Sequence, residues 1–246
     1  MLAWKIFVHS LRMVFSDIRT TLRVSSPVIA TSLLGVVLTI TYGAEFTTGE
    51  TDAYGSLVVF FVFSYIAALW VAVSWHRYCL LEEFPDSVLP AFNGSRILAY
   101  FGWGLLLALI FVAAFGVLGG LMALFGGFSG PDFSPIGLVV FGIGAIFMLW
   151  VVQRIALVLP ASAIGNPITF GESWRATQSV GLALIVTLFL IAAFGFGTGF
   201  IAGFLGSFSL LLGQLLQLVS NWLITMVSLS ILTTFYGFCI EKRELT

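Results

Sequence analysis

Apolar residues in this chain do not alternate with polar ones. They run in blocks of about twenty, parted by short clusters of Arg, Asp, Glu, Pro and Gly. A run of that length as a helix matches a bilayer core of about 30 Å, so each block predicts a transmembrane helix. Six blocks meet this standard, at about 26–44, 55–75, 97–125, 136–159, 181–206 and 215–240. The third is longer than a perpendicular helix needs and must tilt, bend at its glycines or begin outside the lipid. Residues 1–25 follow another rule. Trp4, Phe7, Val8, Leu11, Val14, Phe15, Ile18 and Leu22 recur at helical spacing opposite Lys5, Arg12, Arg19 and Arg23, which predicts an amphipathic helix in the membrane interface. The charges interrupt it too often for a signal peptide, and Tyr42 is too large for position −3 of a cleavage after Ala44, so the first span is expected to be retained. The predicted fold class is all-α: a polytopic membrane protein with an interfacial helix at 1–25 and a six-helix domain at 26–246.

Composition agrees with this pattern. Hydrophobic residues make up 60% of the chain and charged residues 9%, against roughly 25% charged in an average soluble domain. The placement of charge carries more than its total. All ten basic residues fall on one side of the span pattern, near the amino terminus, at Arg77 and Arg96, at Arg154 and Arg175, or in the tail at Lys242 and Arg243. The other side holds Glu45, Glu50, Asp52 and Asp132. The positive-inside rule then places both termini in the cytoplasm, and the expected location is the cytoplasmic (inner) membrane. Cys79 and Cys239 would lie on that reducing side as apolar thiols rather than a disulfide.

An internal echo joins the third and fifth spans. Ala113-Ala114-Phe115-Gly116 recurs as Ala192-Ala193-Phe194-Gly195, and Gly120, Ala123 and Phe125 recur as Gly199, Ala202 and Phe204. Arg96 maps onto Arg175 in the same register, and Phe15 to Arg19 resembles Phe170 to Arg175 with one insertion. This predicts three tandem hairpin units of one orientation, related about the membrane normal rather than inverted.

Within the spans, Gly116 and Gly120, and Gly195, Gly199 and Gly203, lie four residues apart and mark a helix-packing or partner interface. Both packing inside the chain and contact with a second protein or copy satisfy this pattern. Arg77, Arg96, Arg154 and Arg175 end helices at headgroup depth and are candidates for contact with anionic lipid headgroups, or simple stops. Thr169 and Glu172 have capping-box spacing, opening a short helix that would anchor Trp174 in the interface. Gln214, Gln217 and Asn221 share one face of the last span, suited to interhelical hydrogen bonds or a pore lining.

The sequence offers little chemistry. No ionisable side chain stands mid-span, which argues against ion-coupled transport. His9 and His76 lack a repeated ligand spacing, so no metal site or cofactor is expected. Adjacent Glu82 and Glu83 diverge, and no nucleophile has an activating base, so no catalytic residue is assigned.

The stretch Gln153-Arg154-Ile155-Ala156-Leu157-Val158-Leu159-Pro160, followed by Glu172-Ser173-Trp174-Arg175-Ala176-Thr177, resembles a broad bacterial family of six-span membrane proteins. That family includes the membrane domain fused to some glycerophosphodiester phosphodiesterases. The resemblance implies the fold but no activity, because this chain has no room for a catalytic barrel with its metal ligands. The expected function is a non-enzymatic accessory, scaffold or lipid-organising subunit; the alternative is a passive channel or uncoupled transporter of a lipid or small apolar solute. Expected partners are membrane lipids and another integral membrane protein or a second copy, with no nucleic acid.

Overall fold

The computed structural model describes residues 2–48, 51–124 and 135–245. Glu50, Asp132 and the side chains of Glu45 and Asp52 fall outside what is described; of the turns expected at 45–54 and 126–135, residues 45–48, 51–54 and 135 are helical and the rest lie outside the described residues. The chain is an all-α polytopic membrane protein. Its helices are α1 (Leu2–Ser16), α2 (Ile18–Val24), α3 (Ser26–Thr48), α4 (Thr51–Leu81), α5 (Gly94–Leu124), α6 (Pro135–Ile155), α7 (Val158–Ile164), α8 (Phe170–Ala176), α9 (Gly181–Gly206) and α10 (Leu210–Cys239). Among the described residues, five segments are long and apolar enough to cross a membrane: Leu57–Leu81, Gly94–Ala123, Gly137–Ile164, Gln178–Gly206 and Leu210–Cys239. Ile18–Val24 and Ser26–Tyr42 form a sixth if the two, bent by 68°, count as one span.

The amino-terminal segment departs from the expectation of a single interfacial helix. Asp17 breaks it in two by capping α2, accepting from the Thr20 N–H at 3.1 Å. α1 then packs on α9 and α10, burying Ala3, Ile6, Phe7, Ser10 and Val14. Of the expected apolar face, Trp4, Phe15, Ile18 and Leu22 remain exposed. The face that seats the helix is rotated from the expected one and shares Phe7 and Val14 with it. α1 is thus part of the bundle, with Ile6 and Val14 in its main core beside Trp75, Phe235 and Tyr236.

A second departure lies after α6. Pro160 has no N–H for the carbonyl of Ala156, four residues back, and the Leu159 N–H supplies that bond at 3.0 Å instead. The helix breaks there, and α7 wedges between α4 and α5 with Val158, Ala161 and Ala163 fully buried. Gly165 ends α7 at φ 85°, and the Asn166 N–H returns to the Ala161 carbonyl at 2.9 Å. The positive φ favours glycine there, and the Arg96 guanidinium rests in the space that a Cβ would take, at 2.6 Å.

Candidate functional site

The end of the bundle that carries the basic residues is closed by hydrogen bonds from side chains. On α10, Ser230, Thr233 and Thr234 each donate a hydroxyl proton to the carbonyl four residues back, at 2.7–2.8 Å. Their oxygens are left to accept from neighbouring helices. Trp75 Nε1 of α4 donates to Ser230 at 3.1 Å, and Ser10 of α1 meets Thr234 at 3.1 Å. His76 Nδ1 lies 2.7 Å from Thr233 Oγ1. Because Thr233 has spent its proton, Nδ1 must be the protonated nitrogen, and Nε2 faces the Tyr100 hydroxyl at 3.4 Å. Three hydroxyls on one helix thereby tie α1, α4 and α5 together where lipid provides no hydrophobic drive.

The arginines work in the same zone, mostly on helix ends. Arg154 is 6% exposed, donates through Nη2 to the Trp174 carbonyl at 2.6 Å and through Nε to Thr177 Oγ1 at 3.2 Å. Its guanidinium lies 3.7 Å from the centre of the Trp174 ring and 5.1 Å from that of Trp150. Ser173 in turn donates to the Arg154 carbonyl at 2.7 Å. Arg154 is therefore not a headgroup contact: its charge is turned inward and stacked, and Trp174 is its platform rather than a separate interfacial anchor. Arg77 pairs with Glu83 and donates to the Ala163 carbonyl in the last turn of α7 at 3.0 Å. In the tail, Arg243 donates to the Leu80 carbonyl at 2.8 Å and Lys242 to that of Cys239 at 2.8 Å. Each cation neutralises carbonyls at a helix carboxyl end, where the partial charge is negative. Arg96 and Arg175 are exposed, so of the four candidate headgroup arginines they alone keep open faces. The capping box forms as its spacing predicted, with Thr169 and Glu172 bonded reciprocally.

The glycines divide differently from their motif. A Cβ on Gly195 would meet Ile224 at 3.3 Å, but at Gly116, Gly120, Gly199 and Gly203 it would meet nothing within 4 Å. Four of the five predicted packing glycines thus meet no neighbour among the described residues. The backbones of α9 and α10 approach closely at Gly206 and Gly213, where a Cβ on Gly213 would stand 2.6 Å from the Gly206 Cα.

Two recesses open between the spans. The larger, about 740 Å³, lies among α5, α6, α9 and α10 and is walled by side chains such as Leu107, Phe111, Ala156, Ile191, Ile224 and Leu229. Gln153, Thr225 and Ser228 are its polar members. The smaller, about 300 Å³, lies between α3, α4 and α10 and includes Gln214, Gln217 and Asn221. The described residues contain no group of three or more His, Cys, Asp or Glu able to hold a metal ion.

Sequence reasoning missed the partners of the α10 hydroxyls. The signal was there, since Ser230, Thr233 and Thr234 share one helical face, but Trp75, His76 and Ser10 are distant in sequence. No family model matches the chain, and no curated protein or solved structure shows significant similarity to it.

Proposed function

We propose that this chain is a non-enzymatic integral membrane protein that organises lipid, receiving an acyl chain between its α5–α6 and α9–α10 hairpins. The observation that carries this reading is the recess of about 740 Å³ among those helices. Its volume falls within the range of about 300–1,000 Å³ typical of ligand sites. An apolar void of that size inside a bilayer is the natural place for a lipid tail, since tails and leucines are equally apolar. The segregation of basic residues supports a multi-pass protein of the cytoplasmic membrane with both termini inside. The resemblance around Arg154 and Glu172 supports the six-span family, and the Gly116/Gly195 echo supports tandem units of one orientation.

A scaffold role is favoured by a separate observation. Gly116, Gly120, Gly199 and Gly203 are open to close approach, and Phe196 and Phe200 beside them are 77% and 66% exposed. A partner span, or a second copy, is the occupant such a face accepts. Uncoupled lipid transport would use the same apolar recess.

Native mass spectrometry of the chain released from mild detergent tests the lipid reading. A retained phospholipid is expected, and Ala108→Trp, which places an indole in the recess, should abolish its retention. Equal retention by both proteins would reject the reading. Lipid flux into empty proteoliposomes would instead establish transport.

A further inference from the structure

A second site lies on α10 nearer its amino-terminal end, at Gln214 to Asn221, whereas the apolar recess takes residues 224–232 of the same helix. We propose that the recess between α3, α4 and α10 binds the uncharged, hydroxyl-bearing headgroup of a membrane lipid, glycerol or sugar in kind, through Gln214, Gln217 and Asn221.

Three carboxamides occupy one face of an otherwise apolar span, over about two turns or 10 Å. The bonds they make do not explain them. Gln217 Nε2 donates to Asn221 Oδ1 at 2.9 Å within α10, so the pair joins no two helices. That leaves the Gln217 carbonyl oxygen as an acceptor and the Asn221 amide as a donor, while no described residue pairs with Gln214. Unpaired amides facing hydrocarbon are costly, and a carboxamide that bonds only to its neighbour four residues on still has half its capacity to satisfy. Ser32 and Thr39 of α3 border the same recess, and the Thr39 hydroxyl, having given its proton to the Gly35 carbonyl at 2.9 Å, can only accept.

The described lining therefore presents donors and acceptors together and no charged side chain. A hydroxyl is itself both donor and acceptor and is the complement of such a lining. A phosphate would find no cation among the lining residues and an ammonium no carboxylate. Phe60 closes the wall by resting its ring on Gly35, where a Cβ would meet it at 2.9 Å. That ring supplies the apolar surface against which a sugar face or the first carbons of a chain can lie. Gln217 and Asn221 are exposed, so a lipid can enter sideways from the bilayer.

The test is a titration of the full-length chain in nanodiscs with monooleoylglycerol, beside oleoyl lysophosphatidic acid, read by native mass spectrometry. One monooleoylglycerol per chain is expected, with weaker binding of the anionic lipid. The double variant Gln217→Leu/Asn221→Leu should lose at least tenfold in affinity for monooleoylglycerol, and Thr39→Val, which keeps the shape and removes one acceptor, should lose several-fold. Thr41→Val, on α3 outside both recesses and with its hydroxyl bonded to the Val37 carbonyl at 2.9 Å, should change nothing. Unchanged binding by the double variant or by Thr39→Val would overturn the proposal, as would equal binding of the anionic lipid. A change of the double variant from dimer to monomer would overturn it in favour of self-association.

Discussion

The basic end of the bundle and the spans beyond it are built on opposite principles. At the basic end, Trp75, His76, Ser10 and Arg154 are buried and hydrogen-bonded, and arginines sit on helix carboxyl ends. Beyond it, the helices of the α5–α6 hairpin touch little. Only 11% of the apolar window of each of these two spans is buried, against 28% for α10. Four motif glycines face open space, and both recesses lie along the spans. The difference teaches that small residues alone do not close a membrane bundle. What holds this one is a set of polar contacts from α10 to its neighbours, which leaves the faces of α5, α6 and α9 free for lipid or a partner.

The largest way to break the comparison is at Arg154. Arg154→Ala removes two charge-assisted hydrogen bonds and two ring contacts, and should cost about 3 kcal/mol of stability. Arg175→Ala, exposed and bonded weakly to the Gly171 carbonyl at 3.3 Å, should cost less than about 0.5 kcal/mol. Unfolding titrations in mixed micelles measure both, and similar losses would erase the distinction between inward and outward arginines. Arg154→Lys should not rescue, because the contact is a planar guanidinium stacked on an indole.

Next in size is Thr233→Val. It strands the His76 Nδ1–H in a buried site, at about 1–3 kcal/mol. The same change at Thr225, whose hydroxyl bonds only to its own helix at the Asn221 carbonyl, should be nearly silent.

The glycines sharpen the contrast further. Gly213→Ala forces α9 and α10 apart and should cost about 1–3 kcal/mol, given the 2.6 Å to the Gly206 Cα. Gly199→Ala should be neutral or slightly stabilising, since alanine favours helix and nothing stands in its way. A loss of stability at Gly199 in the isolated chain would mean that its face is occupied after all.

The smallest effect is an acid sensitivity of the short helices near the basic end. The Thr20 hydroxyl and then its N–H hold the Asp17 carboxyl below its ordinary 3.8, and the Thr169 N–H and then its hydroxyl hold Glu172 below 4.5. A depressed folded-state value stabilises the charged form, so this contribution is complete above those ordinary values. It is lost as pH falls through the lower, folded-state ones. Asp17→Asn with Glu172→Gln should flatten the stability profile at the acid end and leave it unchanged near neutrality.

Much of the architecture was legible in the hydrophobic pattern, because span length is fixed by bilayer thickness and the apolar blocks are long. The Thr169–Glu172 cap was equally legible, since both partners lie within one turn. What escaped depends on contacts between distant segments. The seating of α1 uses Ala3, Ile6, Phe7, Ser10 and Val14 at helical spacing, but periodicity does not say that this face meets α9 and α10 rather than lipid. The inward turn of Arg154 depends on Trp174 and Thr177 folding back over it. The open state of Gly116 and Gly199 reflects helix crossings set elsewhere, by Gly206 against Gly213 and by the Pro160 break. A small-residue motif records that close approach is permitted, not that a partner within the chain takes it.

The most direct test of the lipid-organising account is photolabelling of the reconstituted protein with a phospholipid that carries a diazirine near the end of its acyl chain, mapped by peptide mass spectrometry. The account predicts adducts on Leu107, Ala156, Ile224 and Leu229, the walls of the large recess. Adducts confined to outward residues such as Leu98, Leu182 and Phe196, with none on those walls, would contradict it.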